Sequence, residues 1–234
     1  MLNETIVYKI QLRLNKIASH DYDNIEKWQI VEAFNKAQVD WCRRQIHGMN
    51  QFKEGDEQST RRIDDLQVIL KDFPMKCSNR KLYSITQSLP EDFFEYKRIS
   101  CLATDKCCSN KHNMIIYLGE EGNVNILLRD EHKKPNFDWG ETFCTIKDNK
   151  IRIYTNGEFT ISDVELTYYR QPRRIEMKGV VSPYTNQESS SDVLCEFKDD
   201  VVEVMIDEAV KILSGDIESL NQNQLSQQNV EMNN

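Results

Sequence analysis

The chain has 234 residues (27.5 kDa), of which 39% are hydrophobic, with only five prolines and eight glycines, which favours a globular protein with one sizeable core. Its net charge of −8 argues against broad binding to nucleic-acid phosphates, because such binding needs an excess of lysine and arginine. No apolar run approaches the roughly 20 residues that span a bilayer, and the N-terminus lacks a secretion-signal pattern, so we expect the seven cysteines to be reduced thiols in a cytoplasm.

The first part of the chain has helical periodicity. A helix is predicted over residues 3–19 from apolar residues at three- and four-residue steps: Ile6, Ile10, Leu14 and Ile17. Asp21 or Asp23 is placed to cap a longer helix that runs to about His47. A third helix, capped by Asp56, should end near residue 73 because Pro74 disfavours helical geometry in the residue before it.

After Pro74 the periodicity changes to that of strands. Alternating residues in "KLYSITQSLP" predict a half-buried strand, and Ile99, Cys101 and Ala103 share one face of another. "NMIIYL" predicts a further strand. Asn123 is then placed to cap a short helix.

The stretch "TFCTIKDNKIRIYTNGEFTISDVELTYYRQP", from Thr142 to Pro172, predicts an antiparallel β-meander. "KDNK" supplies one turn. Asn156-Gly157 is a strong hairpin signal, because both central residues of a type I′ turn need a positive φ. The stretch contains no recognisable catalytic motif.

These elements predict an α+β protein in which a helical bundle carries an inserted antiparallel β-rich region. Residues 1–73 and a closing helix at 199–220 should form the bundle. Residues 74–175 should form the insertion and 176–198 an exposed loop. An extended tail, residues 221–234, is rich in Asn and Gln and cannot pack a core by itself.

Four residues close in sequence raise the possibility of a zinc site: Cys101, Cys107, Cys108 and His112. The vicinal pair suits a tetrahedral site poorly, and no CxxC spacing follows. Cys101 falls on the inward face of a strand, a common place for a free thiol. We therefore expect no metal, and keep a small zinc-binding regulatory or nucleic-acid-binding module as the alternative function.

The remaining charged residues suggest no catalytic site. Four arginines lie on or beside the predicted helices: Arg43, Arg44, Arg61 and Arg62. Salt bridges or a solvated helix face fit them better than DNA binding, given the acidic total. Adjacent acids such as Asp199-Asp200 suit a helix start. We expect neither enzymatic activity nor a cofactor.

The order of features resembles the head–tail connector (adaptor, or neck ring) proteins of tailed bacteriophages, most closely those of crAss-like phages. The stretches that carry the resemblance are "VEAFNKAQVDWCRRQIHG", "LPEDFFEYKRISCLATD", "PNFDWGETFCTIKDNKIRIYTNGEFTISDVELTYYRQPRRI" and "VVEVMIDEAVKILSGDIES" followed by the Gln-rich tail. Together they span about residue 20 to residue 225.

The resemblance implies a structural virion protein at the head–tail junction, assembled in the bacterial host cytoplasm. It implies a homo-oligomeric ring, commonly of twelve copies, beneath the portal protein. The ring would contact adjacent neck or tail proteins and carry genomic DNA without sequence-specific binding, with no membrane involved. The implied portal-docking residues are Leu220, Gln222, Gln224, Leu225, Gln227, Gln228 and Val230. The implied contacts to a neighbouring subunit or tail component are Tyr154, Asn156, Tyr168, Tyr169, Arg170, Arg173 and Arg174.

Overall fold

The computed structural model of the chain describes residues 1–15, 25–47, 60–106, 110–181, 186–216 and 228. The chain divides into two compact units, a helical unit (Met1–Val68 with Pro172–Asn234) and a sheet unit (Ile69–Gln171). A nearly closed sheet of eight strands dominates the fold, so this is a mixed α/β protein. The expectation of a helical bundle with an inserted β-rich region is wrong, because the strands unite into one large sheet with a core of its own.

Four of the described helices belong to the helical unit: α1 (Asn3–Leu14), α2 (Lys27–His47), α3 (Thr60–Leu66) and α5 (Asp199–Asp216). Both α1 and α2 pack on α5. The predicted stripe Ile6, Ile10 and Leu14 is buried, which confirms the helical periodicity of this segment. The predicted residue Ile17 and the caps Asp21, Asp23 and Asp56 lie outside the described residues.

The segment before α5 is anchored on α2 by buried polar groups. Asn35 of α2 accepts a hydrogen bond from the Ile175 backbone N–H (2.8 Å) and donates one to the Ile175 carbonyl (3.2 Å). Gln38, one turn further along α2, donates to the Asn35 side chain (3.0 Å) and accepts a contact from the Cys195 thiol (3.5 Å). Met177 is buried as well. The predicted exposed loop 176–198 is therefore buried in part and tied to α2.

The sheet unit contains β1 (Leu70–Met75), β2 (Cys77–Asn79), β3 (Tyr83–Ser88), β4 (Phe93–Asp105), β5 (Lys111–Leu118), β6 (Glu141–Lys147), β7 (Lys150–Tyr154) and β8 (Phe159–Arg170). The strand order is β1-β8-β4-β5-β6-β7-β3-β2. All neighbours are antiparallel except β5 and β6, which are parallel, so the expectation of a purely antiparallel region is wrong. A short helix, α4 (Val124–Leu127), lies between β5 and β6.

The sheet nearly closes because β1 and β2 are separated only by Lys76 yet lie at opposite ends of the strand order. β1 pairs with β8, and β2 pairs with β3. The Asn79 side chain bridges the remaining gap to Ile161 of β8. It accepts from the Ile161 N–H (2.9 Å) and donates to the Ile161 carbonyl (3.1 Å). Closure of this kind satisfies strand edges that would otherwise be open to pairing with other chains.

The predicted meander is wrong in its pairing, although its turn residues adopt the expected backbone. Asn156 and Gly157 have φ of 49° and 80°, but they join β7 to β8, which are not neighbours in the sheet. The two-residue hairpin is at Asp148 and Asn149, with φ of 54° and 56°, between β6 and β7. Local residue chemistry fixed the turn conformation, and long-range partners decided which strands pair.

Two local predictions near the sheet are also corrected. The third helix ends at Leu66 and, after a 3₁₀ turn at Gln67–Ile69, the chain continues as β1. Pairing of β1 with β8 overrides the helical periodicity there. Asn123 precedes α4, but its side-chain oxygen makes no cap hydrogen bond; its Nδ2 group donates to Glu120 (3.0 Å).

Candidate contact surfaces

A row of aromatic rings crosses the face of the sheet opposite its core cluster, with Phe143 and Tyr154 buried and Tyr117 and Tyr83 half-buried. Tyr117 of β5 pairs directly with Phe143 of β6, and Tyr154 of β7 pairs directly with Tyr83 of β3. The ring centroids of Tyr117–Phe143, Phe143–Tyr154 and Tyr154–Tyr83 are 5.9, 4.6 and 6.0 Å apart. Such cross-strand aromatic pairs stabilise a sheet beyond the area they bury. Glycine at position 119 leaves room for α4, because an added Cβ would lie 3.0 Å from Leu127 Cδ1. The row therefore stabilises the pairing of β5, β6, β7 and β3.

Three of the predicted contact residues are buried within the sheet unit. Tyr154 is 6% exposed, and Tyr168 is fully buried against Phe93 (5.7 Å). Tyr169 is also buried, with the Lys97 ammonium 5.8 Å above its ring. These three tyrosines are not available to a partner of the folded chain.

The other predicted contact residues remain at the surface. Asn156 is exposed in its turn and Arg170 is half-buried. Arg173 and Arg174 are exposed and form ion pairs within the helical unit, with Glu196 (4.0 Å) and Glu32 respectively. Of the predicted portal-docking residues, only Gln228 is among the described residues, where it is exposed.

An exposed tryptophan on a braced loop forms the first candidate surface, the Trp139 surface, consisting of Trp139 and Ile115. Trp139 is 58% exposed and Ile115 is 67% exposed. The Asn136 carboxamide accepts from the Trp139 N–H (2.9 Å), and the Gly140 carbonyl accepts from the Ile115 N–H (2.7 Å). His132 stacks on the indole at 6.3 Å, with 9° between the planes. The loop thus presents the indole in a fixed place.

The second candidate surface, the α1 surface, consists of Tyr8 and Leu12 on the side of α1 away from its buried stripe. The two side chains are one helical turn apart and are 64% and 57% exposed. Sequence reasoning identified the buried stripe but missed both exposed surfaces. The signal available was a large apolar residue at a position of α1 outside its stripe, and a tryptophan in the polar stretch before β6.

Ion pairs between α1 and α5 help to fix the position of α1. Lys9 and Arg13 both contact the Glu203 carboxylate, and Arg13 also contacts Asp207 (2.6 Å). Burial opposes ionisation of Glu203, but the two cations outweigh it and lower its pKa. Burial raises the pKa of Asp207. These contacts lock α1 and α5 in register.

The zinc candidates do not assemble in the part of the chain that the structure describes. Cys101 is 2% exposed, and burial, with smaller contributions from neighbouring Cys77 and Cys144, raises the pKa of its thiol to about 12. This protonation disfavours the thiolate that zinc requires. The His112 ring packs on Phe137 (4.9 Å), whereas Cys107 and Cys108 lie outside the described residues. Within the described residues, no group of three or more metal-ligating side chains occurs.

Comparisons with known proteins assign the chain to no family. No protein-family model matches it, and no curated protein is significantly similar to it. No described helix is long and apolar enough to cross a membrane.

Proposed function

We propose that this chain is a structural virion protein that forms, with copies of itself, a ring of the head-to-tail connector beneath the portal. The observation that carries the proposal is that each unit has an exposed apolar surface, the Trp139 surface on the sheet unit and the α1 surface on the helical unit. A closed ring needs two different faces on every subunit, because each interface joins one face to an unlike face of the next copy. Exposed tryptophan and tyrosine are typical centres of such interfaces.

The order of sequence features that resembles connector proteins supports the same function. The mixed α/β fold is compatible with this function, because the formation of a ring depends on the surfaces of the subunit rather than on a particular fold class. Burial raises the pKa of the described thiols Cys42, Cys101, Cys144 and Cys195, which leaves them protonated and poorly nucleophilic. A scaffold role is compatible with these inert groups.

The charge distribution suits a DNA conduit. The sheet unit contains equal numbers of acidic and basic residues, so the whole acidic excess of the chain lies in the sequence of the helical unit. A channel wall that lets DNA slide without sticking should be net negative. The proposal therefore assigns the channel side of the ring to the helical unit.

Oligomer size measured by light scattering after gel filtration, with negative-stain imaging, tests the proposal. We expect a ring for the natural chain and its loss in the double variant Ile115→Ala, Trp139→Ala. Leu82→Ala is the matched control, since Leu82 is an apolar residue of the sheet unit that is 48% exposed and precedes β3. A monomer at every concentration, or a ring unaffected by both variants, would contradict the proposed interface.

Portal binding is tested separately by co-sedimentation with the portal protein. The natural chain should sediment with the portal, and a variant lacking residues 221–234 should not. Unchanged binding of the truncated chain would remove the tail from the docking step. Failure of the full chain to bind any portal would refute the connector assignment.

A further inference from the structure

Arg44 and Glu208 form a buried ion pair between α2 and α5. Arg44 Nη1 donates to Glu208 Oε2 at 2.9 Å, and the two side chains are only 10% and 8% exposed. Among the described residues, Glu208 has one further ionic neighbour, Lys211, whose Nζ lies 4.0 Å from Glu208 Oε1. Removing a guanidinium from water is costly unless its N–H groups find acceptors. The Arg44–Glu208 contact satisfies only Nη1 of the three guanidinium nitrogens.

The opposite edge of the Arg44 guanidinium has no hydrogen-bond acceptor among the described residues. Both Nε and Nη2 are shielded from solvent and unpaired. These two nitrogens point their N–H bonds along the same edge of the planar group. That edge matches a carboxylate or phosphate, which accepts two parallel hydrogen bonds from it. A buried donor pair of this kind calls for an acceptor.

The local charge favours the same type of ligand. Two cations, Arg44 and Lys211, share a single carboxylate, that of Glu208. One additional anion would balance the cluster and satisfy the open edge together. Arg44 also lies in the last turn of α2, and helix ends open more readily than helix centres. Such opening gives an anion a route to the buried edge.

We propose that the Nε–Nη2 edge of Arg44 binds one oxyanion, a carboxylate or phosphate group, between α2 and α5. The site is independent of the Trp139 and α1 surfaces and does not rest on the connector function. Two sources share this chemistry: a free phosphate-type anion, and an Asp or Glu side chain of a second copy of the chain. Thermal unfolding and self-association distinguish them.

The thermal arm compares the full-length chain in sodium phosphate and in sodium chloride at equal ionic strength and pH. A free anion that binds Arg44 should raise Tm by about 3–6 °C at a phosphate concentration ten times its Kd. Arg44→Lys keeps the positive charge but removes the two-pronged edge, so this increment should disappear. Arg43→Lys, the same change at the neighbouring exposed arginine, is the control and should keep it.

The association arm uses sedimentation velocity in chloride alone. If a carboxylate of a second copy is the ligand, Arg44→Lys should weaken self-association about tenfold or more, and added phosphate should weaken it in the natural chain. Arg43→Lys should leave both unchanged. This arm supports the same site with a different source of the anion.

Glu208→Gln provides a second variant in case Arg44→Lys does not fold. The glutamine carbonyl still accepts from Nη1, while the competing negative charge is gone, so phosphate should bind more tightly and the Tm increment should grow. The proposal is overturned if the phosphate increment is the same in the natural chain, Arg44→Lys and Glu208→Gln, and self-association is also unaffected. That result would mean that water alone occupies the edge.

Discussion

Replacing Asn35 by leucine should loosen the attachment of residues 172–198 to α2. Asn35 is 5% exposed, and its carboxamide makes three hydrogen bonds: two to the backbone of Ile175 (2.8 and 3.2 Å) and one from Gln38 (3.0 Å). Leucine is similar in size but can make none of them. The Ile175 N–H and the Gln38 amide are then left buried without partners.

The magnitude follows from the cost of unsatisfied buried groups. A buried donor that loses its acceptor costs about 1–3 kcal/mol, and two donors are affected here. Part of this cost is offset by the favourable burial of the leucine side chain. We therefore expect a loss of about 2–4 kcal/mol in the free energy of unfolding. With a urea m-value of about 2 kcal/mol/M, the unfolding midpoint should fall by about 1–2 M.

Tryptophan fluorescence during urea unfolding measures this change in the helical unit. Trp41 is buried with its ring edge against Phe197 (5.4 Å), whereas Trp28 and Trp139 are exposed, so blue-shifted emission reports Trp41. Trypsin should also cut faster after the exposed residue Lys178.

Lys36→Leu is the matched control for Asn35→Leu. It makes the same kind of change on the exposed side of α2 and should shift the midpoint by less than about 0.3 M, since surface substitutions cost within about 0.5 kcal/mol. Equal midpoints for Asn35→Leu and Lys36→Leu would refute the role of Asn35 as an anchor.

Three further outcomes follow from the structure. Phe143→Ala should cost about 3–5 kcal/mol in a urea titration, because the ring is fully buried in the aromatic row, and Phe143→Leu should cost clearly less. The hydrogen bond from the Tyr168 hydroxyl, followed by the interaction with Lys71, lowers the pKa of Asp92. The ionised Asp92 therefore stabilises the fold above its unfolded pKa, and this contribution is lost as the pH falls through its folded pKa. Tyr168→Phe should flatten the decline of Tm below about pH 4, and an unchanged profile would argue against this linkage. A thiol-specific reagent at pH 8 should modify the buried thiols of Cys42, Cys101, Cys144 and Cys195 only after urea is added, as measured by peptide mapping. Rapid labelling of the native chain would contradict their burial.

Residue patterns predicted the local structure well where one element supplies all the information. The buried stripe of α1, the strand at β3 and the inward face of β4 at Ile99 and Cys101 follow from periodicity within a few residues. The positive φ of Asn156 and Gly157 follows from their residue types alone. The contact residues were predicted less well, since the predicted contacts Tyr154 and Tyr168 are buried, while Trp139, which was not predicted as a contact, is exposed.

The sequence alone determined which segments turn, which residues favour a strand, and the acidic charge of the chain. Only the tertiary structure decided that Leu70–Met75 leaves helical geometry to pair with β8, that β7 and β8 do not pair, and that Asn79 closes the sheet against Ile161. Turn propensity depends on neighbours in the chain, whereas strand pairing joins residues up to about a hundred positions apart and depends on the free energy of the whole core. Arg44 and Glu208 lie 164 positions apart in the sequence, so their burial as a pair also became visible only in the folded chain.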